Sequence, residues 1–295
     1  MLLNRQKILL SYIYLSGKIE SKTVLTKSVF LLCKEEMGGK EIYDFFPYYF
    51  GPYSFSLDRI DIKNLVDRGL ITDFPYEIKD EIFAKKILSN LDNKVVYAIN
   101  HIYFKYGKLK AWEIKNYVYK KFPYFAIRNK NNPAFYSAND PANQQDMQDS
   151  KILTIGYEGR SIDRFLDDLI KNNVKVLVDV RNNPRSRKHG FSGNTIKHYA
   201  EEVNVEYLSV PELGISSQYR QELNTMDDYA KIFALYRNKV LPNSSAKLNL
   251  LKNLIISKKR IALMCFERDY KKCHRSILSE ELKNYCNGEY GISHV

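Results

Sequence analysis

Apolar residues recur at helical spacing through Arg5–Leu15 and stop at Gly17. Ser21 then sits where it can cap a helix from Lys22 to about Glu36, with Val24, Leu25, Ser28, Val29, Leu31 and Leu32 on its buried side. After Gly38-Gly39 the chain reads YDFFPYYFGPYSFSLDRIDIKNLVDRGLI. Its aromatic start, with Pro and Gly, predicts a packed turn around Tyr48, Gly51, Pro52 and Tyr53. Ser54 or Ser56 is placed to cap a helix to about Arg68, which Gly69 ends before Leu70-Ile71. Two further helices are expected over Ile82–Lys105, broken near Asp92-Asn93, and over Ala111–Lys121. Helix, helix, turn, helix and a short β element is the order of a winged helix-turn-helix, so residues 1–128 are expected to form a mainly helical, winged-helix-like domain.

From Asn129 to Ser150 the pattern vanishes into NKNNPAFYSANDPANQQDMQDS, a polar, Pro-containing stretch that reads as a linker. Beyond it the period changes. Lys151–Gly156 is a short apolar strand, Ser161 can cap a helix that carries Asp163 in its first turn, and Val174–Val180 is apolar on both faces. Strand, helix, strand at this spacing predicts a right-handed βαβ unit. Further strands are expected at Glu206–Val210 and Arg260–Cys265, with helices at Ile196–Val203, Met226–Leu241, Leu248–Lys258 and Arg275–Cys286. Residues 151–295 are therefore expected to be an α/β domain with a small, open, mostly parallel sheet.

Composition changes this picture only in two ways. The chain of 295 residues carries a net charge of +12, divided as +5 over residues 1–150 and +7 over the remainder. A basic balance in both halves favours polyanions as partners without naming one. The four cysteines, at 33, 265, 273 and 286, are too few and too uneven for a disulfide framework. The N-terminal apolar stretch is interrupted by Asn4-Arg5-Gln6-Lys7, unlike a signal peptide or a membrane span, and a cytoplasmic protein with no membrane partner is expected. The abundance of Tyr and Lys is read as codon bias rather than as a stacking surface.

Ligands of open parallel sheets bind outside the carboxyl ends of the strands. The sequence places ionisable groups at each such end. Tyr157, a candidate phosphate or nucleic-acid contact, follows the first strand, and Asp179 closes the second. Arg181, Arg185, Ser186, Arg187 and Lys188 then form a basic loop whose guanidinium forks suit phosphate oxygens. A carboxylate at a strand end is either paired, here with Arg181 or Arg275, or catalytic. After the last strand come Cys265, Glu267 and the Cys273-His274-Arg275 start of a helix. Asp179 and Glu267 are candidates for acid/base work, His274 for a proton donor and Arg275 for a phosphate contact, since a cation at a helix N-terminus opposes the dipole unless an anion is present. Cys273 beside His274 is a candidate nucleophile. Zinc or another divalent metal is compatible with Cys265, Cys273 and His274, but the spacing is uncommon and a fourth ligand would have to come from His189 or His198, so no metal is expected. Both cysteines are expected to support the pocket wall without forming a covalent intermediate.

Two resemblances add to this. LLNRQKILLSYIYLSGKIESKTVLTKSVFLL, YDFFPYYFGPYSFSL and LVDRGLI, over residues 1–125, resemble the Panacea-type domain of antitoxin and phage-defence proteins, which implies a helical module for protein contacts. TIGYEGRSIDRFLDDL, VLVDVRNNPRSRKHGFS, YLSVPELGI and ALMCFERDYKKCHRSIL, over 151–290, resemble domain-of-unknown-function family 488. That resemblance marks Tyr157, Asp179, Arg181, Pro184, Ser186, Phe191, Glu212, Leu213, Gly214, Cys265, Glu267, Cys273, His274 and Arg275 as motif positions. Its members are often labelled as DNA-repair-like or lie near defence genes. The combined expectation is a nucleic-acid- or nucleotide-associated protein, an enzyme acting on DNA or a nucleotide in repair or phage defence, with a protein partner for the N-terminal domain. The alternatives are a non-catalytic anion-sensing or antitoxin-like regulator and a cysteine-based sulfur or redox enzyme.

Overall fold

The computed structural model of the chain describes residues 1–37, 42–129, 151–219, 225–258 and 260–295. Two compact units, Met1–Ala138 and Asn139–Val295, divide it. The expected linker, apart from Asn129, lies outside the described residues. No helix among the described residues is long and apolar enough to cross a membrane.

In the first unit, α1 (Asn4–Ser16) buries Ile8, Leu9, Leu10, Tyr12 and Ile13. Ser21 caps α2 (Lys22–Leu31) by accepting from Val24 N at 3.2 Å, and a wide helical turn, Leu32–Glu36, continues it. The aromatic segment expected as a turn closes into a small antiparallel hairpin, β1 (Phe46–Tyr48) with β2 (Gly51–Tyr53). Tyr48 stacks on Tyr53 at 4.9 Å inside it. Gly51 has φ +104°, and a Cβ there would meet the Tyr119 ring at 2.7 Å, which explains the glycine twice over. A wide turn, Ser56–Ile62, leads into α3 (Lys63–Asp67), and α4 (Glu81–Ser89), α5 (Asn93–Ile102) and α6 (Ala111–Lys121) follow. Single antiparallel bridges join Ile19 to Tyr76 and Ile71 to Ile78. Asp61, fully buried, accepts from Arg5 Nε, Gln6 Nε2 and Tyr43 Oη at 2.6–2.8 Å and ties α1 to the turn before α3.

The second unit alternates β3 (Lys151–Gly156), α7 (Ile162–Lys171), β4 (Val176–Asp179), α8 (Gly193–Glu202), β5 (Glu206–Ser209), α9 (Met226–Leu235), α10 (Ser245–Lys258), β6 (Arg260–Cys265), α11 (His274–Tyr285) and β7 (Gly291–His294). All pairings in its five-stranded sheet are parallel, and the strand order is β5-β4-β6-β3-β7. The last strand was not expected. It is four residues long, half-exposed and starts at a glycine, so it carries neither a continuous apolar run nor a clear alternation. Helix α8 begins at Gly193 and α10 at Ser245, each three residues before the expected start, because poor helix formers open them.

Successive side chains of a strand face opposite sides of the sheet. Ile152, Val176, Val178, Ile261, Leu263 and Cys265 pack in one core with Ile232 and Tyr236, Leu251 and Ile255 of α10, and Leu278 and Leu282 of α11. Leu153, Ile155, Leu177, Ala262 and Met264, on the other side, are equally buried, as are Phe165 and Leu166 of α7 and Ile196 and Tyr199 of α8. The sheet is thus covered on both faces, as continuous apolar strands require.

Candidate functional site

The strand order fixes where a ligand can enter. From β4 the chain leaves toward β5, and from its neighbour β6 it leaves in the opposite direction, toward β7. The crossovers diverge there, so the crevice outside an open parallel sheet lies between the carboxyl ends of β4 and β6, at Asp179 and Cys265. Tyr157, Arg181, Asn182, Asn183, Ile215, Cys265 and Phe266 line a cavity at this point. A second cavity is lined by Glu158, Tyr229, Glu267, Arg268, Asp269 and Lys272.

Two close backbone approaches shape the rim. A Cβ on Gly156 would stand 1.9 Å from the Glu267 carbonyl oxygen, and one on Gly214 would stand 2.1 Å from Asn182 N. Glycine is required at both places to let the loops meet. Tyr157 N and Glu158 N then donate to the Cys265 and Phe266 carbonyls, extending the β3–β6 ladder into the rim.

On the α7/α8 side Asp179 is fully buried and saturated. Arg181 Nε and Nη2 donate to its Oδ1 and Oδ2 at 2.8 and 2.6 Å, Arg181 N adds a third bond, and Tyr207 Oη donates to Oδ2 at 2.7 Å. Arg181 Nη1 donates to Tyr157 Oη and to the Phe191 carbonyl, both at 2.9 Å. Burial alone would lower the guanidinium pKa, but the Asp179 fork outweighs it and raises it. Burial, joined by the Asp179 charge, pushes Tyr207 well up. The Tyr157 ring stacks flat on Phe191 at 4.4 Å and takes Phe266 edge-on at 5.3 Å. The pairing of Asp179 with Arg181 is one of the arrangements expected for it. A carboxylate holding four hydrogen bonds at zero exposure offers no surface to a substrate, so its reading as an acid/base group is revised. Arg181 is likewise a brace rather than an open phosphate contact.

The rest of the basic loop divides in two. Lys188 is also a brace: Nζ donates to the Tyr157 carbonyl at 2.7 Å and lies over the Phe191 ring, and burial lowers its pKa. Ser186 holds the loop in place, its Oγ accepting from Lys188 N and its carbonyl from Ser192 Oγ. Arg185 and Arg187 are exposed on this pinned loop, as are Asn182, Asn183 and His189.

Cys265 and Cys273 pack in the α10/α11 core, and His274 lies against Tyr236 of that core. The sequence places these three and Asp179 near one crevice. Strand alternation separates them onto opposite faces of the sheet, which is why they do not form one constellation. His274 Nε2 lies 3.1 Å from the Val180 carbonyl, and Nδ1 lies 3.8 Å from Cys273 Sγ and 4.0 Å from Cys265 Sγ. Burial, then contact with Cys265, pushes the Cys273 thiol well above its ordinary value, which disfavours the free thiolate that a nucleophile needs. Arg275, buried, donates from Nη1 and Nη2 to the Glu267 and Arg268 carbonyls at 2.5 and 3.0 Å. The expectation that it holds phosphate is corrected: its donors clamp the loop after β6, and these carbonyls relieve its conflict with the helix dipole. Glu267 is half-buried and borders two cavities, one shared with Cys273 and His274 and the other with Glu158 and Arg268. His189 is exposed and His198 pairs with Glu202 at 2.9 Å; neither joins the cysteines.

Residues 161–282 match the family described as domain of unknown function DUF488. The match falls within the 151–290 span of the resemblance and covers β4, β6 and most of the residues around the crevice. Neither the curated proteins nor the solved structures contain a match to this chain. Asn182, Asn183 and Phe266 follow β4 and β6, where the sequence places crevice-facing loops, but no role was read for them; Tyr207 was not singled out, and only register could have found it, since it pairs beside Leu177.

Proposed function

We propose that the C-terminal domain binds nucleic acid or a nucleotide at the β4/β6 crevice. The observation that carries this reading is the crevice itself. At the topological switch point an exposed aromatic ring, Phe266 (40% exposed), stands beside the exposed amides Asn182 and Asn183, with Arg185 and Arg187 exposed on the same pinned loop. A ring for stacking, amides for base edges and guanidinium groups for phosphate are the parts that single-stranded nucleic-acid sites combine. Asp179, Arg181, Tyr157 and Lys188 serve that site as its rigid floor. An enzymatic step on the bound ligand, in repair or phage defence, would fall to Glu267, the one carboxylate of the expected set that is not fully buried.

For the first unit we propose a winged-helix arrangement, supported by the bridges Ile19–Tyr76 and Ile71–Ile78. With the β1/β2 hairpin inserted between α2 and α3, the order is helix, β, helix, hairpin, helix, β, β, with residues 71–78 as the wing. Such a unit, like the Panacea-type domain it resembles, would add a protein or DNA contact.

The test is fluorescence anisotropy of a short labelled single-stranded oligonucleotide across a salt series. Wild type is expected to bind with a negative salt slope. Arg185→Ala/Arg187→Ala should reduce that slope by about 1.4, at roughly 0.7 per phosphate contact. Equal affinity and slope in the double variant would overturn the reading.

A further inference from the structure

Cys265 ends β6, Cys273 precedes α11 and His274 opens it, so two elements that pack together bring two sulfurs and an imidazole within 4.8 Å of one another. All three residues are at most 2% exposed. The His274 ring is oriented from behind. Nε2 faces the Val180 carbonyl, which can only accept, so Nε2 carries the hydrogen and, in the neutral ring, Nδ1 presents its lone pair to the sulfurs. A backbone carbonyl behind the ligating histidine is the usual outer partner of a metal site. The Tyr236 ring packs edge-on against the imidazole at 5.3 Å and restricts it further.

The spacing can be compared with a coordination sphere. Bond lengths of about 2.3 Å to sulfur and about 2.0–2.1 Å to nitrogen, at tetrahedral angles, put S and N about 3.6 Å apart. The two S···N separations here, 3.8 and 4.0 Å, need a contraction of only a few tenths of an ångström. A small cavity touching Cys273 and His274, and bordered by Tyr229, Phe233 and Glu267, has room for about one water molecule to complete the set.

We propose that Cys265, Cys273 and His274 bind one zinc ion. Two thiolates and a neutral imidazole are a soft donor set that suits zinc and excludes magnesium and calcium. On binding, both thiol protons leave to solvent, two Zn–S bonds and one Zn–N bond form, and the paired negative charges are neutralised by the ion; nothing is oxidised or reduced. The ion would fasten the β6 end to the start of α11 and so hold the Glu267 loop between them. Cys265 also borders the β4/β6 crevice, but the inference does not need the nucleic-acid reading: metal content is measured without any oligonucleotide, so the two can fail separately.

The full chain, purified from zinc-supplemented growth, is expected to carry about one zinc per molecule by inductively coupled plasma mass spectrometry. Cys273→Ser and His274→Gln should lower that content at least tenfold, while Cys33→Ser and Cys286→Ser, outside the cluster, should leave it unchanged. Should the cluster variants fail to fold, the wild type alone decides. Exchange of its metal for cobalt(II) is expected to give intense thiolate-to-cobalt charge-transfer absorption with the visible bands of a tetrahedral site. Folded wild type with no stoichiometric zinc, zinc undiminished in the folded variants, or a cobalt spectrum without thiolate bands would each overturn the proposal.

Discussion

Asp179 and Arg181 stand two residues apart at the end of β4, and their fork is a buried ion pair. Removing the cation alone leaves a buried carboxylate with only Tyr207 and a backbone amide as donors. Arg181→Ala is therefore expected to destabilise the unit by about 3–5 kcal/mol, read from urea unfolding. A loss below about 1 kcal/mol would show that Asp179 finds other compensation. Lys27 gives a pH-dependent counterpart in the first unit. It is buried, Nζ donates to the Phe50 carbonyl at 2.8 Å, and burial, with Lys115 nearby, lowers its pKa from 10.5 to about 8. Between those values the unfolded chain holds a proton that the folded one has lost, so this group makes stability rise with pH across the window. Below about pH 8 both states are protonated and the full cost of burying the ammonium is present. Lys27→Met should flatten the rise between pH 8 and 10 in thermal unfolding; an unchanged slope would contradict the assignment.

At the scale of elements, Gly156 and Gly214 decide whether the rim can close. Each meets backbone rather than a movable side chain, so Gly156→Ala is expected to cost at least the upper end of about 1–3 kcal/mol and to weaken oligonucleotide binding with it. Thermal unfolding and anisotropy on one preparation check this, and a stable variant with intact binding would contradict it. Most of these elements were legible in the sequence. The apolar runs of β3, β4 and β6 and the capping serines Ser21, Ser54 and Ser161 carry strong local signals, and the structure shows each serine accepting from a first-turn amide. The site was legible only in part. Sequence shows which residues follow a strand, but the face each side chain takes depends on register. Asp179 and Cys265 end two adjacent interior strands and yet serve opposite faces. Burial of Arg275 was hidden for a related reason: its partners are main-chain carbonyls, which have no signature in the residue types.

At the scale of the whole molecule, each unit has its own apolar core, one built on α1, α2, α5 and α6 and the other on the parallel sheet. Residues 1–129 and 151–295, expressed separately, are each expected to fold cooperatively, seen as a sigmoidal thermal transition by circular dichroism. A fragment that melts without a transition would show that its core depends on the other unit. The net charge of +12 is shared between the halves, so charge alone does not say which unit meets a polyanion. Photo-crosslinking does. The full chain, irradiated with a bound 4-thiouridine-containing oligonucleotide and mapped by peptide mass spectrometry, should carry adducts at Phe266 and within Asn182–Arg187. Adducts confined to residues 1–129, or none at saturating oligonucleotide, would contradict the placement of the ligand at the β4/β6 crevice.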